Sequence, residues 1–261
     1  MFELAGVSYA YEGNDALCGV SLTIERGESV SLLGPNGCGK STLLKILCGV
    51  LSPDAGTILF DGAELSKKTL SDVKLAKAFH QRVGFVFQNS DAQLFCASVF
   101  DEIAFGPRQM GLAASEVERR AHDCIELLGL RDFAERSPYH LSGGEKRKAA
   151  IAAVLAMNPD VLVLDEPMNG LDPKTERWLA GFLLDLHRAG KTLVTSTHDL
   201  ELVQELSRRA ILFDGAHTVA ADLPTEQLLD NIGLLRQVNL VDKYYHKHGD
   251  GGHTHFHTHN Y

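Results

Sequence analysis

The chain has 261 residues, enough for one large domain or two closely packed subdomains with a full core. Apolar residues make up 44% and charged residues 23%, an ordinary soluble balance, and a formal charge of −9 argues against general nucleic-acid binding. Five scattered cysteines (Cys18, Cys38, Cys48, Cys96, Cys124) lack metal-like spacing and imply reduced thiols in a cytosolic compartment, and no apolar run approaches the roughly 18–20 residues that span a bilayer.

The N-terminal stretch MFELAGVSYAYEG has no basic segment followed by an apolar one, so it does not read as a leader. Residues 2–33 carry short alternating runs with turns at Glu12-Gly13-Asn14 and Arg26-Gly27, which predict antiparallel strands leading into a buried one. That buried strand enters Gly34-Pro35-Asn36-Gly37-Cys38-Gly39-Lys40-Ser41-Thr42, which fills every required position of a phosphate-binding loop. Gly34, Gly37 and Gly39 let the backbone wrap round an anion, and the following helix offers its positive end to it. Lys40 is expected to reach the β- and γ-phosphates of a nucleotide, Ser41 to bind Mg²⁺ and Thr42 to cradle the α-phosphate.

The helix after the loop is expected to end near Gly49. Gly56–Gly62 reads as a strand with an Asp61-Gly62 turn, and Val83–Phe87 as a short buried strand that delivers Gln88. From about residue 90 to 157 the pattern turns helical, with Ser98 as an N-cap and Ser115-x-x-Glu118 as a capping-box candidate; Gly129 stops that second helix. In Leu141–Lys148 (LSGGEKRK), Ser142, Gly143 and Gly144 open a helix and form a second phosphate-binding end. Val161–Leu164 is a fully apolar strand ending in Asp165 and Glu166. The two acids face opposite sides, so one is free to hold Mg²⁺ through water while the other orients the attacking water. A helix around Glu176–Ala189, the strand Leu193–Thr197 ending in His198, and a helix around Thr225–Arg236 follow. Alternating strands and helices predict an α/β fold with a mostly parallel sheet, an N-terminal antiparallel part and an inserted helical subdomain.

Singly, a histidine at a strand end, a glutamine, or an acidic pair is weak evidence. In order, the phosphate loop, Gln88, LSGGE, the hydrophobic run ending in Asp165-Glu166, Gly170-Leu171-Asp172-Pro173 and His198 form a set that resembles the nucleotide-binding subunit of ATP-binding cassette (ABC) transporters. The resemblance covers about residues 2–225. It implies a cassette over 2–235, a helical subdomain at about 90–157 and a C-terminal extension over 236–261. It also implies ATP hydrolysis with Mg²⁺, with Asp165 as the acid that serves the metal, Glu166 as catalytic base and His198 as the sensor of the γ-phosphate. Gln88 becomes a ligand to Mg²⁺ and water, Tyr11 (with Tyr9 close by) the aromatic on adenine, and Asp172 a member of the ATP-binding set. Met168 departs from the small polar residue that many relatives place before the GLDP turn.

Gln88–Phe95 (QNSDAQLF), Val99–Pro107 (VFDEIAFGP) and the EKRKAAIA continuation look like the energy-coupling-factor group of these ATPases. In that group the segment after the glutamine receives a coupling helix from a transmembrane partner. Leu94 and Phe95 are its expected apolar anchor, with Asp91 and Gln93 at the rim, whereas Phe105 is expected to pack in the core. The last sixteen residues hold His246, His248, His253, His255, His257 and His259, with too few apolar residues to fold without ligand. Their imidazoles suit Ni²⁺, Co²⁺, Zn²⁺ or Cu²⁺, unless the segment is a purification tag or a tail without a role. The resemblance and the tail together imply the ATPase of a cobalt or nickel importer, paired with itself or a related ATPase chain. Its further partners would be a transmembrane coupling subunit and a substrate-specific membrane subunit at the cytoplasmic face of the membrane, with no nucleic acid involved. A vitamin importer, a non-transport ABC ATPase and a metal-delivery protein are the alternative readings.

Overall fold

Alternating hydrophobicity at the N-terminus and unbroken apolar runs further along build two different sheets. The structure, a computed structural model, describes residues 1–241; the six tail histidines lie outside the described residues. Strand β1 (Phe2–Tyr11) pairs antiparallel with β2 (Asn14–Ile24), which returns after the predicted turn at Glu12-Gly13. Strand β3 (Ser29–Leu33), buried at every residue, leads to helix α1 (Lys40–Leu47). Next come β4 (Ala55–Phe60) and β5 (Ala63–Glu64), giving a four-stranded antiparallel sheet in the order β2-β1-β4-β5.

Helices α2 (Lys67–Ser71) and α3 (Val73–Arg82) then lead directly into β6 (Val83–Val86). Both helices escape a periodicity reading, because α2 buries no residue and α3 buries only Phe79. Helices α4 (Val99–Gln109), α5 (Ala114–Leu127) and α6 (Gly143–Leu155) form the helical part. Ser98 caps α4 as its sequence predicts, accepting from the Asp101 N–H. The expected capping box at Ser115 is not formed. Helix α5 is already under way at Ala114, with Ala113 as its N-cap and no side-chain cap, so Ser115 lies within its first turn. Gly129 ends α5 at φ 65°, a conformation that favours glycine, and the Leu130 N–H returns to the Ile125 carbonyl.

The second sheet adds β7 (Val161–Asp165), helix α7 (Pro173–Arg188), β8 (Thr192–Ser196), helix α8 (Leu200–Leu206), β9 (Arg209–Phe213) and β10 (Val219–Pro224). Its order is β10-β9-β3-β8-β7-β6, parallel except for β10. The single C-terminal helix expected over Thr225–Arg236 is instead two, α9 (Thr225–Asp230) and α10 (Ile232–Gln237). Asn231 leaves helical geometry between them, and its side chain accepts the Leu234 N–H to start α10.

Helix α1 and the inner faces of both sheets share one core, in which Phe2, Ile24, Leu32, Leu43, Leu47, Val163 and Phe213 are fully buried. A second core joins the helical part to the other side of the parallel sheet and includes Met168, which accounts for an apolar residue at that position. Helix α6 runs close to β6: a Cβ at Gly84 would sit 2.3 Å from a Val154 methyl. The order of the parallel strands matters most for function, since the ends of β3, β8, β7 and β6 follow one another along one edge of the sheet.

Candidate functional site

That edge carries the phosphate loop after β3, His198 after β8, Asp165 and Glu166 at β7, and Gln88 after β6. The register explains the alignment, because Ser196 of β8 lies beside both Asp165 of β7 and Leu32 of β3. A cleft of about 580 Å³ opens there. Tyr11, Asn14, Asp15 and Ala16 contribute lining from the β1–β2 hairpin; Asn36, Gly37, Gly39, Lys40, Ser41 and Thr42 come from the loop and α1. Gln88, Glu166, Asn169 and His198 complete the lining.

The loop takes its shape from glycines at positive φ, and two of them allow no side chain. A Cβ on Gly34 would lie 2.7 Å from the Phe213 carbonyl oxygen, and one on Gly39 only 2.2 Å from that of Ala16. Lys40 is 6% exposed and arches back over the loop, donating from Nζ to the carbonyls of Gly34 (2.6 Å) and Pro35 (3.1 Å). Cys38 is buried beneath, with its Sγ 3.9 Å from Lys40 Nζ. Burial pushes its thiol pKa up despite the nearby ammonium, so the proximity does not produce a reactive thiolate.

Asp165 does not line the cleft. It is 5% exposed and takes Oγ–H bonds on Oδ1 from Ser41 (3.0 Å) and Ser196 (2.5 Å). Glu166 lines the cleft, but not by strand alternation: β7 ends at Asp165, and Glu166 follows it in left-handed backbone space at φ 44°. A non-glycine residue there is uncommon and costs about 1–3 kcal/mol unless held. Ser196 holds it: the Glu166 N–H approaches both the Ser196 hydroxyl (3.0 Å) and its carbonyl (3.1 Å). The Glu166 carboxylate Oε2 lies 3.1 Å from Nδ1 of the exposed His198 ring.

Of the two aromatics, Tyr11 faces the cleft, 41% exposed, and Tyr9 braces it edge-on with ring centroids 4.9 Å apart. The structure does not bring Ser142, Gly143, Gly144 or Asp172 into the cleft. Ser142 caps α6 in a reciprocal box: Glu145 Oε2 accepts the Ser142 N–H and O–H, both at 2.7 Å. These bonds hold the Glu145 carboxyl below its ordinary pKa. Ser142 and Gly143 are exposed, while Gly144 lies against Thr175. Asp172 caps α7, accepting from the N–H groups of Lys174 and Thr175 and from the Thr175 hydroxyl, so its visible work is to shape that turn.

Two expectations after Gln88 are reversed. Leu94 is 3% exposed and belongs to the core, so it is no surface anchor. Phe105 is 39% exposed and makes an edge-on contact with Phe95, itself 60% exposed, at 5.0 Å. The apolar surface is therefore Phe95 with Phe105. Sequence reading also passes over Ser196 and Asn169. Nothing in STH marks the serine, since only the pairing of β8 with β7 puts its hydroxyl beside both acids. Asn169 lies three residues beyond Glu166 in the run leading to the noted GLDP turn, a signal that could have found it.

The arrangement has the means to hold a polyphosphate on the loop, to gather hard oxygen donors beside it and to present a carboxylate backed by an imidazole. Comparison with known proteins agrees. A model of the ABC transporter family matches residues 17–169. The nickel import ATP-binding protein LarO of Lactiplantibacillus plantarum is 44% identical over 228 residues, 87% of this chain and 95% of that protein. The energy-coupling factor transporter ATP-binding protein EcfA of Methanothermobacter thermautotrophicus is 42% identical over 243 residues, 92% and 76% respectively. Among solved structures, cbiO1 of Clostridium perfringens, described as part of the ABC transporter complex cbiONQ, is similar at TM-score 0.77 with 33% identity, over 92% of this chain and 94% of that one. An ATP-binding cassette solved as a dimer in a post-hydrolysis state with ADP and phosphate also reaches 0.77, with 30% identity, over 86% and 99%. With the loop, the acids and the histidine on one edge of a parallel sheet, and with these relatives spanning most of its length, the chain belongs to the ABC transporter family and is one of its ATP-binding cassettes, an ATPase.

Proposed function

We propose that this ATPase powers an energy-coupling-factor-type importer that takes up nickel or cobalt ions. The observation that carries the reading is the likeness, over 87% of this chain, to a nickel import ATPase. The likeness to a cassette from the cbiONQ complex and the histidines of the tail support it. No helix among the described residues is long and apolar enough to cross a membrane. Work on a membrane solute therefore runs through the membrane partners, with the cassette held at the cytoplasmic face. The Phe95–Phe105 pair supports a docking surface for the coupling subunit there.

In the proposed mechanism ATP lies along the cleft with its base against Tyr11. The loop amides and Lys40 bind its phosphates, Lys40 exchanging its contacts with the Gly34 and Pro35 carbonyls for phosphate oxygens. Ser41, Gln88 and Asp165 fit Mg²⁺, because they supply a hydroxyl, an amide carbonyl and a carboxylate, all hard oxygens, and the Ser41–Asp165 bond already joins two of them. Held by these three residues, Mg²⁺ would supply positive charge against the phosphates. Glu166 takes the proton of the attacking water, and His198, within 3.1 Å of its carboxylate, orients it and reaches the γ-phosphate. Ser142, Gly143 and Gly144 stand outside the cleft, which supports their closing the site of a second cassette in a dimer.

EcfA, whose name specifies no metal, keeps a vitamin importer as the second reading. One experiment addresses both. The membrane complex is isolated through this subunit, its partners are identified by mass spectrometry, and uptake of ⁶³Ni²⁺ and ⁵⁷Co²⁺ is measured in vesicles with ATP inside or outside. ATP-dependent metal uptake by the complex is the expected result. A complex that binds a vitamin and moves neither metal overturns the metal reading.

A further inference from the structure

Behind Gln88 stands a buried cation that forms no part of the cleft lining. Arg147 lies in the second turn of α6 and is 3% exposed. Its two terminal nitrogens donate to the carbonyls of Phe87 (2.6 Å) and Gln88 (2.7 Å). Its Nε is a buried donor without a hydrogen-bond partner among the described residues. Burial lowers its pKa, and the Asp165 carboxylate partly offsets that shift. Burying a guanidinium on neutral carbonyls alone is costly, and a neutral amide side chain would satisfy a carbonyl at lower cost.

The neighbours repeat the grip. Lys146 Nζ reaches Asp91 Oδ1 at 2.6 Å, while Gln93 accepts the Phe87 N–H and donates to the Ala150 carbonyl, both at 3.1 Å. Residues 87–93 are thus pinned to one helix at several points, and Arg147 holds the two peptide units nearest the site. The same helix begins at the Ser142 cap, so Gln88 and the second phosphate-binding end share one rigid support.

We propose that Arg147 is a positioning residue: from α6 it fixes the Phe87–Gln88 backbone so that the Gln88 carboxamide stands in the cleft that Ser41 also lines. This rests on the reading of Gln88 as a ligand to Mg²⁺ and water. The test compares Arg147→Lys, Gln88→Ala and the double variant in the full chain. Lysine keeps the buried charge and one carbonyl bond, so the fold survives; Arg147→Gln, without the charge, is the companion variant. Two quantities are read: the Mg²⁺ dependence of turnover, and the Mg²⁺ midpoint for binding a fluorescent non-hydrolysable ATP analogue.

Arg147→Lys is expected to lower kcat and raise the Mg²⁺ midpoint about tenfold, the scale of one lost bond to a charged group, with analogue affinity in EDTA unchanged. Arg147→Gln shifts the midpoint further. The double variant is expected to be no worse than Gln88→Ala, because both lesions remove the same placement. Losses that multiply, with the Gln88→Ala midpoint itself shifted, overturn the role of Arg147 and leave that of Gln88 standing. A Gln88→Ala variant with the wild-type midpoint removes the reading of Gln88, and this proposal with it. Weakened analogue binding in EDTA by Arg147→Lys also counts against it, because it places the residue in general support of the loop.

Discussion

Ser196 is the residue on which both acids depend. Its hydroxyl donates to Asp165 and lies 3.0 Å from the Glu166 N–H, while its carbonyl lies 3.1 Å from that same N–H. Glu166 occupies left-handed backbone space, where only such ties keep a side chain with a Cβ aimed at one point. Ser196→Ala deletes the hydroxyl and leaves the carbonyl. The expected result is a loss of about 1–3 kcal/mol of stability, the scale of a lost hydrogen bond to a charged group, here the Asp165 carboxylate. Turnover should fall by about tenfold to a hundredfold, because misplacing the base proposed at Glu166 by about 1 Å costs a factor of that order. Thermal unfolding and ATPase assays of the purified variant measure the two effects separately, and unchanged turnover would remove Ser196 from the hydrolytic machinery.

For the strand–loop–helix element from β3 to α1, the decisive quantity is how closely the backbone packs on its neighbours. Gly37 and Gly39 both have positive φ, 82° and 109°, yet a Cβ on Gly37 meets nothing within 4 Å whereas one on Gly39 falls onto the Ala16 carbonyl and the Leu17 side chain. Substituting alanine should separate them. Gly37→Ala bears only left-handed strain of about 1–2 kcal/mol and should weaken ATP binding by roughly tenfold. Gly39→Ala must push the loop away from β2, which carries Lys40 and Ser41 with it, and should abolish measurable binding. Equilibrium titration with a fluorescent ATP analogue compares them. Equal effects would mean that strain, and not packing against β2, governs this loop.

Taken as a whole, the molecule has its phosphate-binding cleft and its LSGGE helix end in different places. The cleft is lined from the loop, the β1–β2 hairpin and the strand ends, while Ser142 caps a helix outside it. Two copies facing each other, as proposed above, would close both sites, and a cassette of similar fold is itself solved as a dimer. Cysteines introduced close to Ser41 and Ser142, in a background with the five native cysteines replaced, test it directly. With Glu166→Gln to slow hydrolysis, by about 10²–10⁴ for loss of a general base, ATP should drive crosslinks between different chains. Crosslinks confined to single chains would refute the paired arrangement.

Much of this was legible in the sequence because the signals are local. A phosphate loop is a contiguous run of glycines with Lys40 and Ser41, and its anion chemistry follows from the peptide backbone itself. Apolar runs such as VLVLD reveal strands buried on both faces, and Ser98 or Gly129 mark helix ends through their own side-chain or backbone chemistry. Local signals failed where exposure or competition decided the outcome: α2 and α3 bury almost nothing, Ser115 lost the cap to a helix already begun at Ala114, and Asn231 divided one expected helix into two. What only the tertiary structure decided are relations between distant residues. Leu94 turned inward and Phe105 outward because the packing of the helical part, and not hydrophobicity, chose which would be covered. Ser196 reached both acids through the register of β8 against β7, and Arg147 reached Gln88 because α6 lies against the end of β6. Sequence by itself determined the chemistry and its order along the chain; the sheet order β3-β8-β7-β6 determined that these groups meet, since hydrogen-bonded strands bring together residues that the chain separates by more than a hundred positions.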